Sequence, residues 1–270
     1  MEQRVGYLYG YFSEDPNYPL GVRCNIEAIY EPPQINQMDG FVELDDPCMH
    51  KVDMIASALN LERVGQIFTK IDQETILTAD EVKRSAQSQE MFSFDHPMEL
   101  KVPKFVTVVV GLKGEDVEVN CYMVSDQCQA LVDAKVFGHS DDRKKLVVRT
   151  PEPNEMVPAF LQEGKGVTEV EPDFFIVNVA HGQPSHENDY NIIKSYDFPV
   201  RNRDNPATPG DFTGYLRKYA SDPTEKIFAN FHLLVYLSEL MDIDTALTCA
   251  QCAAIEAPID SALMELFKSM

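Results

Sequence analysis

The sequence predicts an α/β protein of the α+β kind whose C-terminal third is mainly helical. Three observations predict it. KFVTVVVGL and VEVNCYMVS are β-branched runs on either side of KGED, a hairpin turn. HKVDMIASALNLERVG and SDQCQALVDAKVF place apolar residues at helical spacing next to such strands. Beyond Phe212 the chain reads as one amphipathic helix after another.

In order, Val5 to Phe12, GVRCNIEAIYEPP and Phe41 to Leu44 read as short strands broken by Asp-Pro, Tyr-Pro and Pro-Pro turns. Val52, Ile55, Ala56 and Leu59 then define a helix, followed by a strand from Val64 to Ile71. TADE, from Thr78, matches a capping box, with a hydroxyl at the N-cap and Glu81 three residues on, opening a helix that runs to about Met91. It is broken before His96 and Pro97. After the KGED hairpin, Ser125 caps a helix whose Cys128, Leu131 and Val132 face inward.

The expected domains are residues 1–137, an α/β unit, residues 138–172, a proline-bearing extended connector that could lie against a domain surface, and residues 173–270, a C-terminal domain. The last begins with a buried strand, DFFIVNVAHG, passes through FPVRNRDNPATPGDF and ends in four helices. These are Phe212 to Tyr219, IFANFHLLVYLSELM, the segment holding TALTCAQCAAIE, and Ile259 to Met270.

At 270 residues the chain fills one large or two ordinary domains, and 44% hydrophobic with 25% charged residues is a folding composition. A formal net charge of −21 repels phosphate backbones and anionic lipid, so nucleic-acid binding and membrane insertion are not expected and a protein partner is. No run has the length of a membrane span and the N-terminus has no signal-peptide pattern, which predicts a cytoplasmic or nuclear protein with its six cysteines reduced. Cys249 and Cys252 form a CxxC without a second pair, in an alanine-rich helical segment, and read as small buried helix residues.

One constellation carries a chemical question. VGYLYG gives a glycine-bounded strand, GQIFTKI a strand end, and TADE a helix start, with seven residues, Ile71 to Leu77, between Lys70 and Thr78. Ordinary α/β patterns can produce that spacing. It also resembles the JAMM class of MPN domains, where a glutamate near the first strand, an HxH strand end and an SxxD helix start hold and use zinc. At the matching positions this chain has Gln3, Phe68, Lys70, Thr78 and Glu81. Phenylalanine offers no lone pair and lysine would set a cation against a dication, so no metal, no cofactor and no catalytic residue is expected here.

The segments VGYLYGYF, PLGVRCNIEAIYEPPQ, LNLERVGQIFTKI, KFVTVVVG, YMVSDQCQALV, FFIVNVAHGQP, FPVRNRD and FHLLVYLSELM, in order from about Arg4 to Ala254, resemble the nuclear protein localization protein 4 family. The resemblance implies a catalytically inactive MPN (JAMM-like) domain followed by a family-specific, mainly helical C-terminal domain. It implies an adaptor that binds ubiquitin and polyubiquitin and recruits substrates to the AAA ATPase valosin-containing protein. The family acts with ubiquitin fusion degradation protein 1 in ubiquitin-dependent and ER-associated degradation, with recruitment to the ER membrane surface. The family also carries an N-terminal ubiquitin-like domain and zinc fingers that dock on the ATPase. This chain is expected to begin inside the MPN domain, as a truncated gene product or a reduced family member, so direct docking does not carry over. A structural MPN heterodimer partner and an MPN metallo-isopeptidase are the alternative functions.

Ubiquitin-binding residues are not identifiable from the sequence. Tyr7, Tyr9, Tyr11, Tyr30, Phe174, Phe175, Phe231 and Tyr236 could line a peptide-accepting surface, although alternating tyrosines more often fill a half-buried sheet, and Phe231, Leu234 and Leu237 at helical spacing are more often core. His232 reads as a core histidine. Asp45, Asp46, Asp141 and Asp142 could meet a basic face, or be plain solvated charge.

Overall fold

The computed structural model describes all residues except 1, 16, 20, 39, 72–73, 97–99, 154, 157–159, 163, 183–196, 201–203 and 270; parts of the FFIVNVAHGQP and FPVRNRD segments therefore lie outside the described residues. The chain opens with strands β1 (Val5–Glu14), β2 (Val22–Tyr30), β3 (Gln34–Asn36) and β4 (Phe41–Glu43), then helix α1 (Met49–Ala58), strand β5 (Glu62–Thr69) and helix α2 (Ala79–Met91). Strands β6 (Ser93–His96), β7 (Leu100–Pro103), β8 (Val106–Lys113) and β9 (Asp116–Val124) precede α3 (Asp126–Asp133). Four two-residue strands follow: β10 (Leu146–Val147), β11 (Leu161–Gln162), β12 (Lys165–Gly166) and β13 (Glu169–Val170). After a 3-10 turn (Pro172–Phe175) and β14 (Ile176–Val179) come helices α4 (Pro209–Lys218), α5 (Thr224–Ile227), α6 (Phe231–Leu240), α7 (Ile243–Ala254) and α8 (Ser261–Ser269).

Two compact units divide these elements, one of Met1–Arg4, Asn36–Phe41 and Gly65–Gly182, the other of Val5–Ile35, Val42–Val64 and Gln183–Met270. They do not follow the linear boundaries at 137 and 172, because sheet and helix partners are chosen by buried apolar surface and not by proximity along the chain.

In the first unit the strands run in the order β14-β9-β8-β5. β5 lies parallel to β8, with Phe68 opposite Val109, and β8 and β9 form the antiparallel hairpin expected from KGED, whose Gly114 takes φ +68°. Helix α2 begins at the expected capping box: the Thr78 hydroxyl accepts from the Glu81 N–H and the Glu81 carboxylate accepts from the Thr78 N–H. Its buried face carries Val82, Ser85, Ala86 and Gln89. Gln89 closes two hydrogen bonds with the Val124 backbone, at 3.0 and 2.7 Å, and Gln66 donates to Thr107 Oγ1 at 3.2 Å, so these two buried amides are paired as low dielectric requires.

Four expectations need correction. Residues 93–103 hold a β6–β7 hairpin where only a helix end was expected. The connector 138–172 is not simply extended: Leu146 pairs with Val170 and Leu161 with Gly166, and Leu146, Phe160 and Val170 are buried, because its scattered apolar residues find core. DFFIVNVAHG is not a buried strand: Pro172 sets a 3-10 turn, and four-residue β14 lies at the end of the strand order with Val177 46% exposed. IFANFHLLVYLSELM is two helices, since Asn230 adopts φ −102°, ψ 116° and its side chain accepts from the Leu233 N–H, starting α6 afresh.

The second unit is organised by one apolar cluster. Tyr9, Ala28 and Tyr30 from the β1–β2 hairpin join Val52, Ile55 and Leu59 of α1, Phe212 and Tyr215 of α4, Phe231, Leu234 and Leu237 of α6, Cys249 and Ala250 of α7, and Phe267 of α8. Aromatic rings interlock at its centre, Tyr9 on Phe231 at 5.3 Å and Phe212 edge-on to Phe267 at 5.9 Å. The β1–β2 register shifts between Tyr9, opposite Ala28, and Gly10, opposite Ile26. Glu27 is thus the extra residue of a β-bulge, and Gly10 permits the close approach it needs: a Cβ there would sit 1.8 Å from the Asn25 carbonyl oxygen.

Candidate functional site

The residues singled out by their spacing, Gln3, Phe68, Lys70, Thr78 and Glu81, lie wholly in the first unit. Parallel pairing with β8 holds β5 straight to its end, and the Lys70 N–H donates to the Val110 carbonyl at 2.8 Å. Phe68 and Lys70, two residues apart, project to the same side of the strand. Phe68 is fully buried with its ring 5.6 Å from that of Phe41, and the Arg84 guanidinium lies 4.5 Å from the Phe41 ring centroid.

Lys70 is 6% exposed. Its ammonium donates to the Ile76 carbonyl at 3.0 Å, the Thr75 hydroxyl at 3.1 Å and Glu81 Oε2 at 3.2 Å. The same Oε2 accepts the Thr78 N–H at 2.8 Å, so one carboxylate oxygen serves both the helix cap and the buried ion pair. Thr78 is buried at the N-cap and spends its hydroxyl on the Glu81 N–H at 3.3 Å. Gln3 is also buried; its N–H donates to the Gln37 carbonyl at 2.7 Å, while its side-chain Oε1 has no hydrogen-bond partner among the described residues.

The structure therefore brings Lys70, Thr78 and Glu81 into one hydrogen-bonded cluster. Zinc requires about three neutral or anionic donors around one point, with a carboxylate or water chain to take a proton. The ammonium that points at Glu81 has three donors and no lone pair, and Phe68 presents only carbon. The residues present do not fit a zinc ion. Among the described residues, no three of His, Cys, Asp and Glu come together as a metal-binding group. Beside Lys70 opens a cleft of about 360 Å³ lined by Thr75, Ile76, Val109, Gly111 and Tyr122 among others.

The aromatic candidates separate on burial. Tyr9, Tyr30, Phe175 and Phe231 are core, whereas Phe174 is half exposed and Tyr7, Tyr11 and Tyr236 are half-buried. Three tyrosines of the β1–β2 hairpin end on carboxylates: Tyr9 donates to Asp53 Oδ1 at 2.6 Å, Tyr30 to Asp46 Oδ2 at 2.7 Å, and Tyr7 to Glu43. Arg63 joins this network through one nitrogen, its Nη2 donating to both Asp53 oxygens at 2.8 and 2.9 Å, with its guanidinium 4.5 Å from the Tyr7 ring centroid. Burial raises the Tyr9 phenol far above its ordinary value despite the opposing pull of Arg63.

His232 is half-buried and edge-on to Phe231 at 5.3 Å, so it flanks the core and is not inside it. Asp46 is tied to Tyr30 and to the Cys48 N–H, Asp45 and Asp141 are exposed, and Asp142 accepts from the Lys144 N–H. Cys249 is buried in α7 with its thiol pushed up to about 12 by burial and by Cys252, which is half-buried. Sequence reasoning missed Thr75 and Ile76 as partners of Lys70. The seven-residue spacing was the available signal, because it gives a loop that must return past the strand end to reach Thr78.

Comparison with known proteins gives a consistent answer. The description "NPL4 family" matches residues 4–270. The chain is 30% identical over 285 residues to nuclear protein localization protein 4 of Saccharomyces cerevisiae, covering 88% of this chain and 48% of that protein. It is 30% identical over 283 residues to the Rattus norvegicus homolog, covering 91% and 46%. With the Drosophila melanogaster homolog the figures are 31% over 274 residues, 88% and 42%. The chain spans about half the length of the curated relatives it matches. No helix among the described residues is long and apolar enough to cross a membrane.

Proposed function

Because the chain belongs to the NPL4 family, we propose that it is a non-catalytic adaptor that binds ubiquitin and polyubiquitin chains and presents their conjugates to the valosin-containing protein ATPase. In this reading it works with ubiquitin fusion degradation protein 1 in ubiquitin-dependent and ER-associated degradation, in cytoplasm and nucleus and at the ER surface. The observation that carries the non-catalytic half is the Lys70 ammonium, seated on Glu81, Thr75 and Ile76 where a hydrolase would need lone-pair donors. A scaffold that keeps its strand end and helix cap while filling the reactive position with a fixed cation supports surface recognition instead of water activation.

Titration of the isotope-labelled full chain with mono- and polyubiquitin tests the binding half, and a diubiquitin cleavage assay with and without chelator tests the other. Localised shift perturbations without turnover are expected. Silence in the titration at high ubiquitin concentration overturns the adaptor reading, and chelator-sensitive cleavage overturns the non-catalytic one.

A further inference from the structure

The segment after β10 carries chemistry of a different kind, within the first unit. β10 pairs with β13, the Val148 N–H donates to the Thr168 carbonyl at 2.8 Å and the Arg149 N–H to the Val136 carbonyl at 2.9 Å, so the backbone is anchored as far as Arg149. The Arg149 guanidinium then clasps Glu155, Nη1 on Oε2 and Nη2 on Oε1 at 2.6 Å each, while its Nε donates to the Lys135 carbonyl. Glu155 also meets Glu152: its N–H donates to the Glu152 carbonyl at 3.0 Å and its Oε2 accepts the Glu152 N–H at 3.1 Å. Thr150, next to Arg149, is exposed and makes no hydrogen bond among the described residues, and Pro151 holds its backbone to the extended region.

Thr150 and Thr208 are the two threonines that precede proline, and no serine does. Phosphoryl transfer from ATP needs an acceptor hydroxyl that can reach the γ-phosphate in line. Thr208 has no such freedom while α4 is formed. Its Oγ1 donates to Asp211 Oδ2 at 2.7 Å and accepts the Asp211 N–H at 3.3 Å, and the helix begins at Pro209 directly after it. Thr150 meets the requirement without any unfolding, on an extended residue that leaves an anchored strand end. Arg149 is the one basic residue from 146 to 164. A phosphate on Thr150 brings about −1.5 to −2 charges to a turn that already holds Glu152 and Glu155, and a dianion competes for the guanidinium better than one carboxylate does.

We propose that Thr150 is a phosphorylation site, read as an extended Thr-Pro pair by a proline-directed protein kinase, and that the phosphate draws Arg149 away from Glu155. In the transfer the Thr150 Oγ attacks the γ-phosphorus of ATP and the bond to the β,γ-bridging oxygen breaks with its electrons on ADP. The hydroxyl proton passes to the kinase's catalytic carboxylate. The test incubates the full chain with purified cyclin-dependent and mitogen-activated kinases and magnesium-ATP, and maps the phosphate by mass spectrometry. Modification of Thr150 at least about tenfold faster than of Thr208 is expected, with the Thr150 phosphopeptide absent from Thr150→Ala. That side chain is exposed, and an unchanged circular dichroism spectrum verifies that the variant folds. In the isotope-labelled phosphorylated chain, the Arg149 side-chain resonances should titrate with the phosphate near pH 6 and should not do so in the unmodified chain. An unmodified Thr150 with both kinases, or Thr208 modified as fast, overturns the site. Arg149 resonances that ignore the phosphate titration overturn the release of Glu155. None of these outcomes bears on the ubiquitin titration of the previous section.

Discussion

Removing the buried cation should cost more than removing both charges. In Lys70→Met the stem volume is kept, but Glu81 Oε2 loses its partner at 3.2 Å and retains one N–H at 2.8 Å. Stranding one member of a buried ion pair costs about 3–5 kcal/mol, and because the Thr78 N–H still solvates this carboxylate the lower end, about 3 kcal/mol, applies. Glu81→Gln keeps the capping box and leaves Lys70 with Ile76 and Thr75, so it should cost about 1.5–3 kcal/mol, the worth of a charged hydrogen bond. The double variant strands nothing and should be at least as stable as Lys70→Met alone, a coupling of about 2 kcal/mol. Urea unfolding followed by circular dichroism measures all four corners. Additive single effects, or a Lys70→Met change within about 0.5 kcal/mol of zero, would show that the pair is not what holds this corner together.

Three further outcomes follow from the geometry. Gly10→Ala should destabilise by at least about 2 kcal/mol, since the new Cβ falls 1.8 Å from the Asn25 carbonyl oxygen and the hairpin must part at its bulge; a neutral change in thermal melting would refute the register. Stability should fall with rising pH from about pH 9, because burial pushes Cys121 up to about 11 and Cys128 and Cys249 up to about 12 from 9.0. The folded values lie above the unfolded ones, so the contribution is whole below pH 9 and is lost as pH rises through the folded values. Cys249→Ala should flatten that decline, and an unchanged slope up to pH 11 in equilibrium unfolding would contradict it. Phe68→His/Lys70→His sets two imidazoles on the β5 side that meets Glu81, and zinc should raise its melting temperature but not that of the unsubstituted chain. A folded variant indifferent to zinc would mean that strand end and helix cap do not converge on a metal-sized point.

Local chemistry made some of this structure legible. The capping box at Thr78 and the turn at Gly114 are decided within a few residues, and both stand as read. The tyrosines of β1 alternate with period two, and the ordinary reading, a half-buried sheet, holds for Tyr9, which sits in the core. What could not be read depends on distant partners. Nothing within VGYLYGYF says that its tyrosine side will pack on Phe231, more than two hundred residues on, and that choice is why the two units cut across the linear order. The β6–β7 hairpin was hidden by a Pro and by charged residues that also punctuate loops. The glycine in the middle of β1 was the one available sign of the bulge, and without a known partner strand it fixes no register.

At the candidate site the residue types were legible but their arrangement was not. From residue types alone, Lys70 near Glu81 and a strand end is a reason why zinc is not held. In the structure Lys70 joins the end of β5 to the loop at Thr75 and Ile76 and to the first turn of α2 through one buried positive charge. A tethered cation needs no loading and has no open coordination position, so it stabilises the corner without polarising a water molecule.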